Sequence, residues 1–561
     1  METLEQLRRE NSKQDVSAKS LVQIYNAEEV LQLLSDRTVI AEWKQLYSIC
    51  PWATVYQSYD FVSNWYRIYK EQYTPLLITA TREGKIAGLF PLCLVGAGEI
   101  MAAGLHQAEY QGWITNKSNS DSFISDALTL IRRKYPKRDI RLKYLPNNTP
   151  LSFLDKKFIK QHALLTSFRH PIMTINPEWL TAELKKKNRR EKINRLKRIG
   201  ELSLERVTCF TVFENIFDEL AAQNDFRKGA AYNAHGLNDR SLFKNFLLSL
   251  FKANLLHVTI LKVDNEIIAS NVGTIGSKWL HLQGMNSHSP AFARYSPGIL
   301  HFLMMGKLLA EEGFEVFDLT PGSDEYKKTL ATDYLEAYEL LVSGKASILQ
   351  TKYLRAIRDK VKMVLMDNGL SSKRQREIQK KIKILSEKLK LGRGTGPMLL
   401  FRLFNIVKNL NKSNLWFYIN IQEDINVPAN LETKTNSIED LLKYDPTGSI
   451  HTSWEFLEDS MKRLELGQHV FTISNESKLL LAVWKTSPKE KSDSNNTSAQ
   501  IELENLYIHP EAFDRAKSYL ERVAHHVTHY NAIDSLHLIV NTKHTNTASI
   551  LEDSGFTRLD R

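Results

Sequence analysis

The stretch between residues 255 and 319 limits the possible folds most strongly, because strand-like runs and one apolar helix follow each other there with short links. Residues 255–287 alternate in the manner of three strands joined by tight turns. Pro297 and Gly298 then open an apolar helical run, and residues 314–319 form an apolar stretch of strand length. Strand, helix and strand in direct succession are the building unit of an α/β sheet. The sequence therefore predicts an α/β fold whose core includes this stretch.

Length and composition narrow the class of protein further. The chain has 561 residues, of which 42% are hydrophobic and 25% charged, as in soluble globular proteins and unlike collagen-like, disulfide-rich or disordered chains. At about 150 residues per domain, roughly three or four domains are expected. Cys50, Cys93 and Cys209 show no CxxC spacing, and the polar residues 1–27 contain no apolar stretch typical of a signal peptide. We therefore expect a cytoplasmic protein.

The positive charge is concentrated in two predicted helical segments. The net charge is +11, from 75 Lys and Arg against 64 Asp and Glu. Residues 341–412 contain 18 basic and 4 acidic residues (+14), residues 181–198 contain 9 and 2 (+7), and the remainder carries 11 − 21 = −10. Solvated helix faces are the plain explanation of such charge. The longer segment, however, also has an apolar stripe at helical spacing, formed by Tyr353, Leu354, Ile357, Val361 and Val364.

This apolar stripe predicts that residues 341–412 dock on a partner. An anionic membrane surface is one expected partner, which would place the protein at the inner face of the membrane. A charged acceptor molecule is another, and tRNA is the less favoured polyanion.

The usual sequence signatures of nucleotide and metal sites are missing. No GxxxxGK[ST] phosphate loop occurs, and the GxG that begins at Gly96 has Met101 where a dinucleotide fingerprint needs glycine. A hairpin turn is the better interpretation of that pattern. His525 and His529 share a predicted helix face, but no third ligand accompanies them. We predict no metal site.

One junction has the form of a phosphate-binding helix start. It connects a strand to the apolar helix and consists of Arg294, Tyr295, Ser296, Pro297, Gly298 and Ile299. Backbone N–H groups point outward at the positive end of the helix dipole, where a pyrophosphate can bind. Gly298 allows close approach of a ligand, and Arg294 can add a charged contact. A helix start capped by Ser296 is the alternative interpretation.

Two polar residues follow the next strand. Asp318 stands at its carboxyl end, and Tyr326 lies eight residues further on. Ligands of α/β proteins bind at the carboxyl ends of strands, so both side chains are expected to face a cleft. A capped turn with a surface tyrosine is the alternative.

Residues 294–328 resemble the GNAT acetyltransferases of the CelD/BcsL group. The resemblance rests on the Tyr-Ser-Pro-Gly junction, the helix, the Phe-Asp-Leu strand and Gly322…Tyr326-Lys327. This group is associated with bacterial cellulose and other exopolysaccharide biosynthesis. The likeness extends over about residues 28–340. The architecture of this region is similar to that of Fem-type peptidyltransferases, in which two GNAT units follow each other in the chain.

The resemblance implies how this tandem is divided. Residues 28–177 would be a first GNAT-like half without a usable cofactor site, and residues 178–340 a second half with the acyl-donor site. The 294–299 junction would hold the pyrophosphate of acyl-CoA. The usual pattern there is Gln/Arg-x-x-Gly-x-Gly/Ala, and this chain departs from it at Pro297 and Ile299.

A third region also resembles a GNAT domain. Residues 413–561 follow the basic helical segment and carry a late signature, Asn546-Thr547-Ala548 with Gly555-Phe556. The expected phosphate loop, residues 510–516, has no glycine and contains Glu511 and Asp514, whose charges repel phosphates. The resemblance implies a GNAT fold whose cofactor site is impaired or lost. A partner-binding or acceptor-binding role and catalysis both stay open for this region.

The resemblance implies transfer of an acetyl or other acyl group from acetyl-CoA or another acyl-CoA to an amine or hydroxyl. The expected acceptor is a small molecule, sugar or glycoconjugate precursor of the cell envelope. Such a transfer needs a base and a donor for the developing oxyanion. Asp318 is the predicted base and Tyr326 the predicted acid. His281 is a second base candidate, although a buried core histidine is the favoured interpretation.

Two other functions stay open at this point. A Fem-like peptidyltransferase would have the same tandem fold but take its acyl group from aminoacyl-tRNA. A non-catalytic protein of GNAT fold would use its basic helices to bind a membrane or a synthase complex.

Overall fold

The strand–helix–strand succession predicted for residues 255–319 is present in the computed structural model of the chain. The chain forms two compact units, the first from residues 1–217, 239–286 and 298–365, and the second from residues 218–238, 287–297 and 366–561. The residues that the structure describes are 21–116, 120–234, 240–322, 324–367, 372–391, 415–421, 432–447, 449, 451–485, 499–528, 536–542, 551–553 and 556–559. The boundaries at 27, 177, 340 and 412 stay predictions.

The first unit is built on one mixed sheet of 13 strands. Its amino-terminal elements are β1 (Leu21–Asn26), α1 (Glu28–Leu33), α2 (Arg37–Ile49), α3 (Tyr59–Tyr69), β2 (Thr74–Arg82), β3 (Lys85–Val95), β4 (Glu99–Ala102), β5 (Ile114–Thr115), α4 (Ser120–Lys134), β6 (Asp139–Pro146), α5 (Lys157–His162), β7 (Ala163–Thr174), α6 (Pro177–Lys185), α7 (Lys187–Ile199) and β8 (Leu202–Val207). Then follow α8 (Phe210–Tyr232), which continues into the second unit, α9 (Arg240–Lys252), β9 (Leu256–Val263), β10 (Glu266–Gly276), β11 (Trp279–His288), α10 (Pro297–Glu311), β12 (Val316–Asp318), α11 (Glu325–Leu330), β13 (Asp333–Val342) and α12 (Lys345–Asp367).

The second unit contains a separate sheet of seven strands, in the order β15-β16-β17-β18-β19-β14-β20. Its core packs strands of this sheet against apolar side chains of four helices, α8 and the three helices that begin at Ile438, Ser453 and Ala516. The elements are α13 (Ser372–Leu391), β14 (Leu415–Ile421), β15 (Thr433–Thr435), α14 (Ile438–Leu442), α15 (Ser453–Glu465), β16 (His469–Ser474), β17 (Leu479–Lys485), β18 (Ala499–Ile508), α16 (Ala516–Thr528), β19 (Leu536–Thr542) and β20 (Thr557–Leu559).

The strand order of the large sheet brings distant parts of the sequence together. It runs β1-β2-β3-β4-β6-β13-β7-β12-β11-β10-β9-β8, with β5 paired to β3. Strand β13 is antiparallel to both β6 and β7, so the late strand joins two early ones. Strands β11 and β12 pair in parallel, with His281 opposite Asp318 in their last pair. The short β12 therefore ends where β11 continues to His288.

The α/β class is confirmed, and several local predictions hold. The meander over 255–287 forms β9, β10 and β11, and the glycines at 96 and 98 lie in the turn between β3 and β4. Residues 181–198, predicted as one helical segment, belong to two helices, because Lys186 with its ψ of 135° divides α6 from α7. The exposed Lys186 and the partly buried Arg189 both pair with the buried Glu183 at this break.

Gly200 follows α7 and is extended, with φ −176°. A Cβ atom at this position would overlap the carboxylate of Asp264, which accepts the backbone N–H of Glu201. The glycine therefore leaves space for this carboxylate at the end of the helix, and a larger residue would have to displace it.

Helix α10 packs over the sheet through an apolar core that contains a small polar group. His301 of α10 hydrogen-bonds through Nε2 to Thr259 Oγ1 at 2.9 Å, and His257 bonds through Nε2 to Glu312 at 2.8 Å. Among the described residues, Nδ1 of both histidines and Oδ1 of Asn271 find no partner. Burial lowers the pKa of His257 to about 3, helped by the charge of Arg206, and burial lowers the pKa of His301 to about 3.

These two histidines predict a stability that falls with acidity. Their folded-state pKa values lie below the ordinary 6.5, so the native state binds fewer protons than the unfolded state between pH 6.5 and about 3. We expect the free energy of unfolding to fall by about 1.4 kcal/mol per pH unit and per histidine in this window. Urea unfolding at several pH values measures the slope. His301→Gln should reduce this slope by about 1.4 kcal/mol per pH unit, because it removes one titrating group. An unchanged slope would contradict the lowered pKa of His301.

Among the helices that the structure describes, none combines the length and the apolar character needed to cross a bilayer.

Candidate active site

Asp318 is the centre of a hydrogen-bonded group in the first unit. Its carboxylate is fully buried at the end of β12. His281 Nδ1 donates to Oδ2 and His170 Nε2 donates to Oδ1, each over 2.6 Å, and the backbone N–H of Thr320 donates to Oδ1 over 2.7 Å. Tyr110 Oη lies 2.8 Å from His170 Nε2. One carboxylate therefore fixes two imidazole rings.

The register of the sheet places these side chains side by side. His281 and Asp318 form the last pair of the parallel strands β11 and β12. On the other side of β12, Asp318 pairs with Ile172 of the antiparallel β7, and His170 lies two residues earlier on the same face. Three neighbouring strands in the interior of the sheet, β7, β12 and β11, thus contribute one side chain each to the same group.

The protonation of the group follows from its surroundings. Burial alone would raise the pKa of Asp318, but the charges and hydrogen bonds of His170 and His281 outweigh it and hold that pKa well below its usual range. Burial, reinforced by nearby carboxylates, raises the pKa of Tyr56 and Tyr110 far above 10. Burial and the charge of Asp318 raise the pKa of Glu109 to about 7. Asp318 is therefore ionised and both tyrosines keep their hydroxyl protons at neutral pH.

The two histidines line a cavity of about 460 Å³. Among the described residues that line it, none is a lysine, arginine, aspartate or glutamate. Aromatic rings and small polar groups predominate. The rings belong to Tyr47, Trp52, Tyr110 and Trp279, and the polar side chains include those of Ser48, Thr54, Asn147 and Ser277. The ring of Trp279 stacks on His281, with centroids 6.0 Å apart.

The turn after β12 is held by a buried lysine. Lys327 is only 5% exposed, and its Nζ donates to Thr320 O and Oγ1 at 3.0 Å and to Pro321 O at 3.3 Å. Burial lowers its pKa, which the charge of Asp324 opposes. Thr320 and Gly322 adopt positive φ angles of 61° and 146° within this turn. Lys327 therefore fixes the backbone that brings the Thr320 N–H to Asp318.

The structure separates the two residues predicted to be catalytic. Asp318 lies in the hydrogen-bonded group, without exposure to solvent. Tyr326 is partly buried on α11, where it packs against an apolar cluster with its ring centroid 6.1 Å from that of Phe302. It is not among the residues that line the cavity. The catalytic roles of both residues stay predictions.

His281 combines the two interpretations that the sequence left open. It is 4% exposed, as expected of a core histidine, and it also lines the cavity, as expected of a base. His170, Glu109 and Lys327 were not singled out as site residues. His170 reaches Asp318 only through the long-range pairing of β7 with β12, for which no sequence pattern exists.

The predicted pyrophosphate junction has the expected local form. Helix α10 begins at Pro297, directly after Ser296, whose φ of 53° turns the chain sharply. Arg294 is exposed, and its guanidinium lies 4.9 Å from the ring centroid of Tyr295. The first N–H groups of a helix have no partner within the helix, and in α10 these are the groups of residues 298 and 299. Phosphate binding at 294–299 stays a prediction.

The corresponding loop of the second unit is already occupied by the protein's own side chains. His509 ends β18, and its Nδ1 accepts the backbone N–H of Glu511 over 3.2 Å. Glu511 in turn pairs with Lys478, and His509 Nε2 lies 3.5 Å from Asp445. The late signature at 546–548 and Gly555 lies outside the described residues. Loss of the cofactor site in this region stays a prediction.

Gly276 offers a local test of the cavity wall. A Cβ atom there would stand 3.0 Å from His281 Nε2 and 3.4 Å from Val55 Cβ, so Gly276→Ala must displace the imidazole slightly. If His281 takes part in the reaction, we expect turnover to fall on the order of tenfold, while the free energy of unfolding changes by about 1 kcal/mol or less. Gly98→Ala is the control, because its Cβ meets no atom within 4 Å. Equal turnover of the two variants would show that the imidazole position is unimportant.

Comparison with known proteins gives one family match and several distant structural likenesses. Residues 184–328 match the sequence model of the acetyltransferase (GNAT) domain. FemX aligns at 12% identity over 56% of this chain and 98% of its own, with a TM-score of 0.40. The C-terminal domain (DUF2156) of a putative lysylphosphatidylglycerol synthetase from Agrobacterium fabrum aligns at 15% identity over 56% and 94%, with a TM-score of 0.38. A tandem GNAT protein from the clavulanic acid biosynthesis pathway aligns at 10% identity over 58% and 99%, with a TM-score of 0.35.

No curated protein matches the chain significantly. The CelD/BcsL subgroup therefore stays a prediction. The matched residues include His281, Asp318 and Tyr326, and they begin within α6 and end within α11. Residues 184–328, which match the sequence model of the acetyltransferase (GNAT) domain, contain strands β8 to β12 of the mixed sheet of the first unit.

Proposed function

We propose that this protein is an acyltransferase that moves an acetyl or other acyl group from acyl-CoA to an amine or hydroxyl of a neutral, hydroxyl-rich acceptor such as a sugar or glycoconjugate precursor. The observation that carries the proposal is the His281–Asp318–His170 group at the wall of the cavity. It lies where the parallel pairing of β11 and β12 ends, and His281 and Asp318 fall within the matched acetyltransferase domain.

The ends of the two parallel strands suit an acyl donor. Strand β12 stops at Asp318, while β11 continues for seven residues beyond His281. Past that point β12 offers no pairing to the β11 backbone, and an extended amide chain such as the pantetheine arm of CoA can pair with such an edge. The N–H groups at the start of α10 are suited to phosphate.

In the proposed mechanism His281 acts as the base. Its Nδ1 proton is donated to Asp318, so Nε2 of the neutral ring carries the lone pair. Nε2 takes the proton of the acceptor amine or hydroxyl while that group attacks the thioester carbonyl. The new C–N or C–O bond forms, the C–S bond breaks, and the imidazolium returns its proton to the leaving thiolate. The ionised Asp318 stabilises the imidazolium and fixes the ring.

The lining of the cavity favours a neutral acceptor with several hydroxyl groups. Flat aromatic rings such as those of Trp52 and Trp279 can pack against the C–H face of a sugar ring. The side chains of Ser48, Thr54 and Asn147 can exchange hydrogen bonds with hydroxyls. An acidic or phosphorylated acceptor would meet no lysine or arginine among the described lining residues.

The proposal is tested by binding and by transfer with the full chain. We expect heat on titration with acetyl-CoA and transfer of radiolabelled acetyl groups to neutral sugars or amino sugars, with weaker transfer to their phosphorylated forms. No acetyl-CoA binding and no transfer from any acyl-CoA would refute it. Transfer from aminoacyl-tRNA but not from acyl-CoA would favour the Fem-like function instead.

A further inference from the structure

Helix α12 presents an apolar face that the described part of the chain leaves uncovered. The helix follows β13, and it is attached to the first unit by Ile348, which is 1% exposed, and by Arg355, which donates to Thr166 Oγ1. These two residues are seven positions apart and so mark one side of the helix. A different side carries large apolar residues that are 41–68% exposed: Leu349, Tyr353, Leu354, Ile357, Val361 and Val364.

The exposed residues form one continuous stripe. Most of them follow each other at intervals of three or four positions, which places them on the same side of an α-helix over about four turns. Single exposed apolar residues are common on protein surfaces, but a stripe of six is not, and it marks an interaction site. The stripe is therefore a docking surface.

The charges beside the stripe indicate what it docks on. Helix α12 contains six basic residues, Lys345, Lys352, Arg355, Arg358, Lys360 and Lys362, against two acidic ones, Asp359 and Asp367. Lys352 and Arg358 are exposed on the two flanks of the stripe, whereas the exposed Lys360 lies within it, seven positions after Tyr353. Asp359 lies 3.8 Å from Arg358. An apolar stripe flanked by lysine and arginine is the pattern of helices that lie in the headgroup region of anionic bilayers. Nucleic acid phosphates would attract the basic side chains, but the six apolar side chains would stay exposed to water.

The next basic helix, α13, has part of its positive charge paired with acidic residues of the protein. On α13, Lys380 pairs with Glu458 at 2.5 Å and Lys388 pairs with Glu455 at 2.7 Å, both on α15. Part of the positive charge predicted to bind a partner is thus neutralised inside the second unit. Ile378, Ile382 and Leu385 of α13 are exposed as well, but two lysines of that helix are paired with glutamates, so the proposal is made for α12 alone.

We propose that α12 lies in the interface of an anionic lipid bilayer, with Leu349, Leu354, Ile357 and their neighbours among the acyl chains and with Lys352 and Arg358 at the headgroups. The full chain is therefore a peripheral membrane protein through this helix. The inference concerns a surface of α12 and does not depend on the acyltransferase proposal.

The test is flotation of the full chain with lipid vesicles. We expect binding to vesicles of phosphatidylglycerol mixed with phosphatidylcholine and weak binding to phosphatidylcholine alone. Leu354→Glu should weaken binding to the anionic vesicles by about tenfold or more, because it removes buried apolar area and adds a repelled charge. Lys352→Gln should weaken it by about fivefold and make it less sensitive to salt.

Leu466→Glu is the matched control, since Leu466 is 76% exposed at the end of α15 and lies outside the proposed surface. It should bind vesicles like the unmodified chain. All of these positions are exposed, so folding is expected to persist, and circular dichroism verifies it. Equal binding of Leu354→Glu and Leu466→Glu, or no binding to anionic vesicles, overturns the proposal. Loss of a dimer or of tRNA binding in Leu354→Glu, without vesicle binding by the unmodified chain, assigns the stripe to those partners and also overturns it.

Discussion

Replacing His281 with alanine is expected to lower the rate of acyl transfer by about 10²–10⁴-fold, the range found when a general base is removed. His281 is the histidine whose Nδ1 is tied to Asp318 and whose ring lines the cavity. Without it, the acceptor must lose its proton to water, and Asp318 cannot replace the base because it is fully buried. The effect should fall on turnover, while the affinity for acyl-CoA changes little.

The measurement is steady-state transfer of labelled acetyl groups, combined with calorimetric titration of acetyl-CoA. His106→Ala is the matched control, because His106 is an exposed histidine of the same unit. Added imidazole should restore part of the activity of His281→Ala, since the deleted ring leaves a space next to the cavity; a merely structural histidine would not respond. Turnover equal to that of His106→Ala, with intact folding, would exclude His281 as the base.

The arrangement of local elements could be predicted from the sequence, but the assembly of the site could not. Residues 255–319 have strong periodicity and clear turns, so β11, α10 and β12 were expected near their observed positions. The approach of β7 to β12 depends on a sheet order in which a late strand, β13, enters between two early ones. Such pairing leaves no local pattern, which is why His170 was missed.

The roles within the segment 317–327 show the same limit. Asp318 was expected to face a cleft because it ends a strand, and its position at the strand end holds. The strand order of the whole sheet determines which side chains contact the Asp318 carboxylate, and here they are His170 and His281. Tyr326 and Lys327 are adjacent in sequence, yet the tyrosine joins an apolar cluster and the lysine is buried beside the site. On this short helix, a difference of one position determines whether a side chain packs in the apolar cluster or lies beside the site.

The exposed stripe of α12 shows the opposite case, in which the sequence indicated the surface. Five apolar residues at helical spacing predicted one apolar face, and all five are more than 40% exposed in the structure. This exposure depends only on the helical period and on the absence of a covering element among the described residues, whereas docking on a partner stays a prediction. The partner was left open between lipid, tRNA and a charged acceptor. The internal ion pairs of α13, which no sequence pattern reveals, limit the available positive surface.

Replacing Asp318 with asparagine is expected to impair both the reaction and the stability. The carboxylate accepts three hydrogen bonds, from His170, His281 and the N–H of Thr320. Asparagine has one acceptor oxygen and an N–H₂ group that would face one of the imidazole nitrogens. Breaking a buried charged group in this way costs about 3–5 kcal/mol. Loss of the charge that orients and stabilises the imidazolium is expected to lower turnover on the order of 10⁴-fold in those molecules that stay folded.

The pH dependence of this loss separates the charge of Asp318 from its packing. The folded-state pKa of Asp318 lies well below its ordinary value of 3.8, so its charge stabilises the protein above that pH and the stabilisation is lost as the pH falls further. The difference in the free energy of unfolding between the unmodified chain and Asp318→Asn should therefore shrink below pH 3.8. Between pH 4.5 and about 7 this difference also changes with pH, because the charge of Asp318 helps to raise the pKa of Glu109 and that contribution is missing in the variant. His257 and His301 are present in both proteins, so their titration cancels in this difference. Asp126→Asn, at an exposed position of α4, should show no such pH-dependent difference. A difference for Asp318→Asn that stays the same down to the lowest pH at which both proteins fold would mean that shape, and not charge, is what the two histidines require at this position.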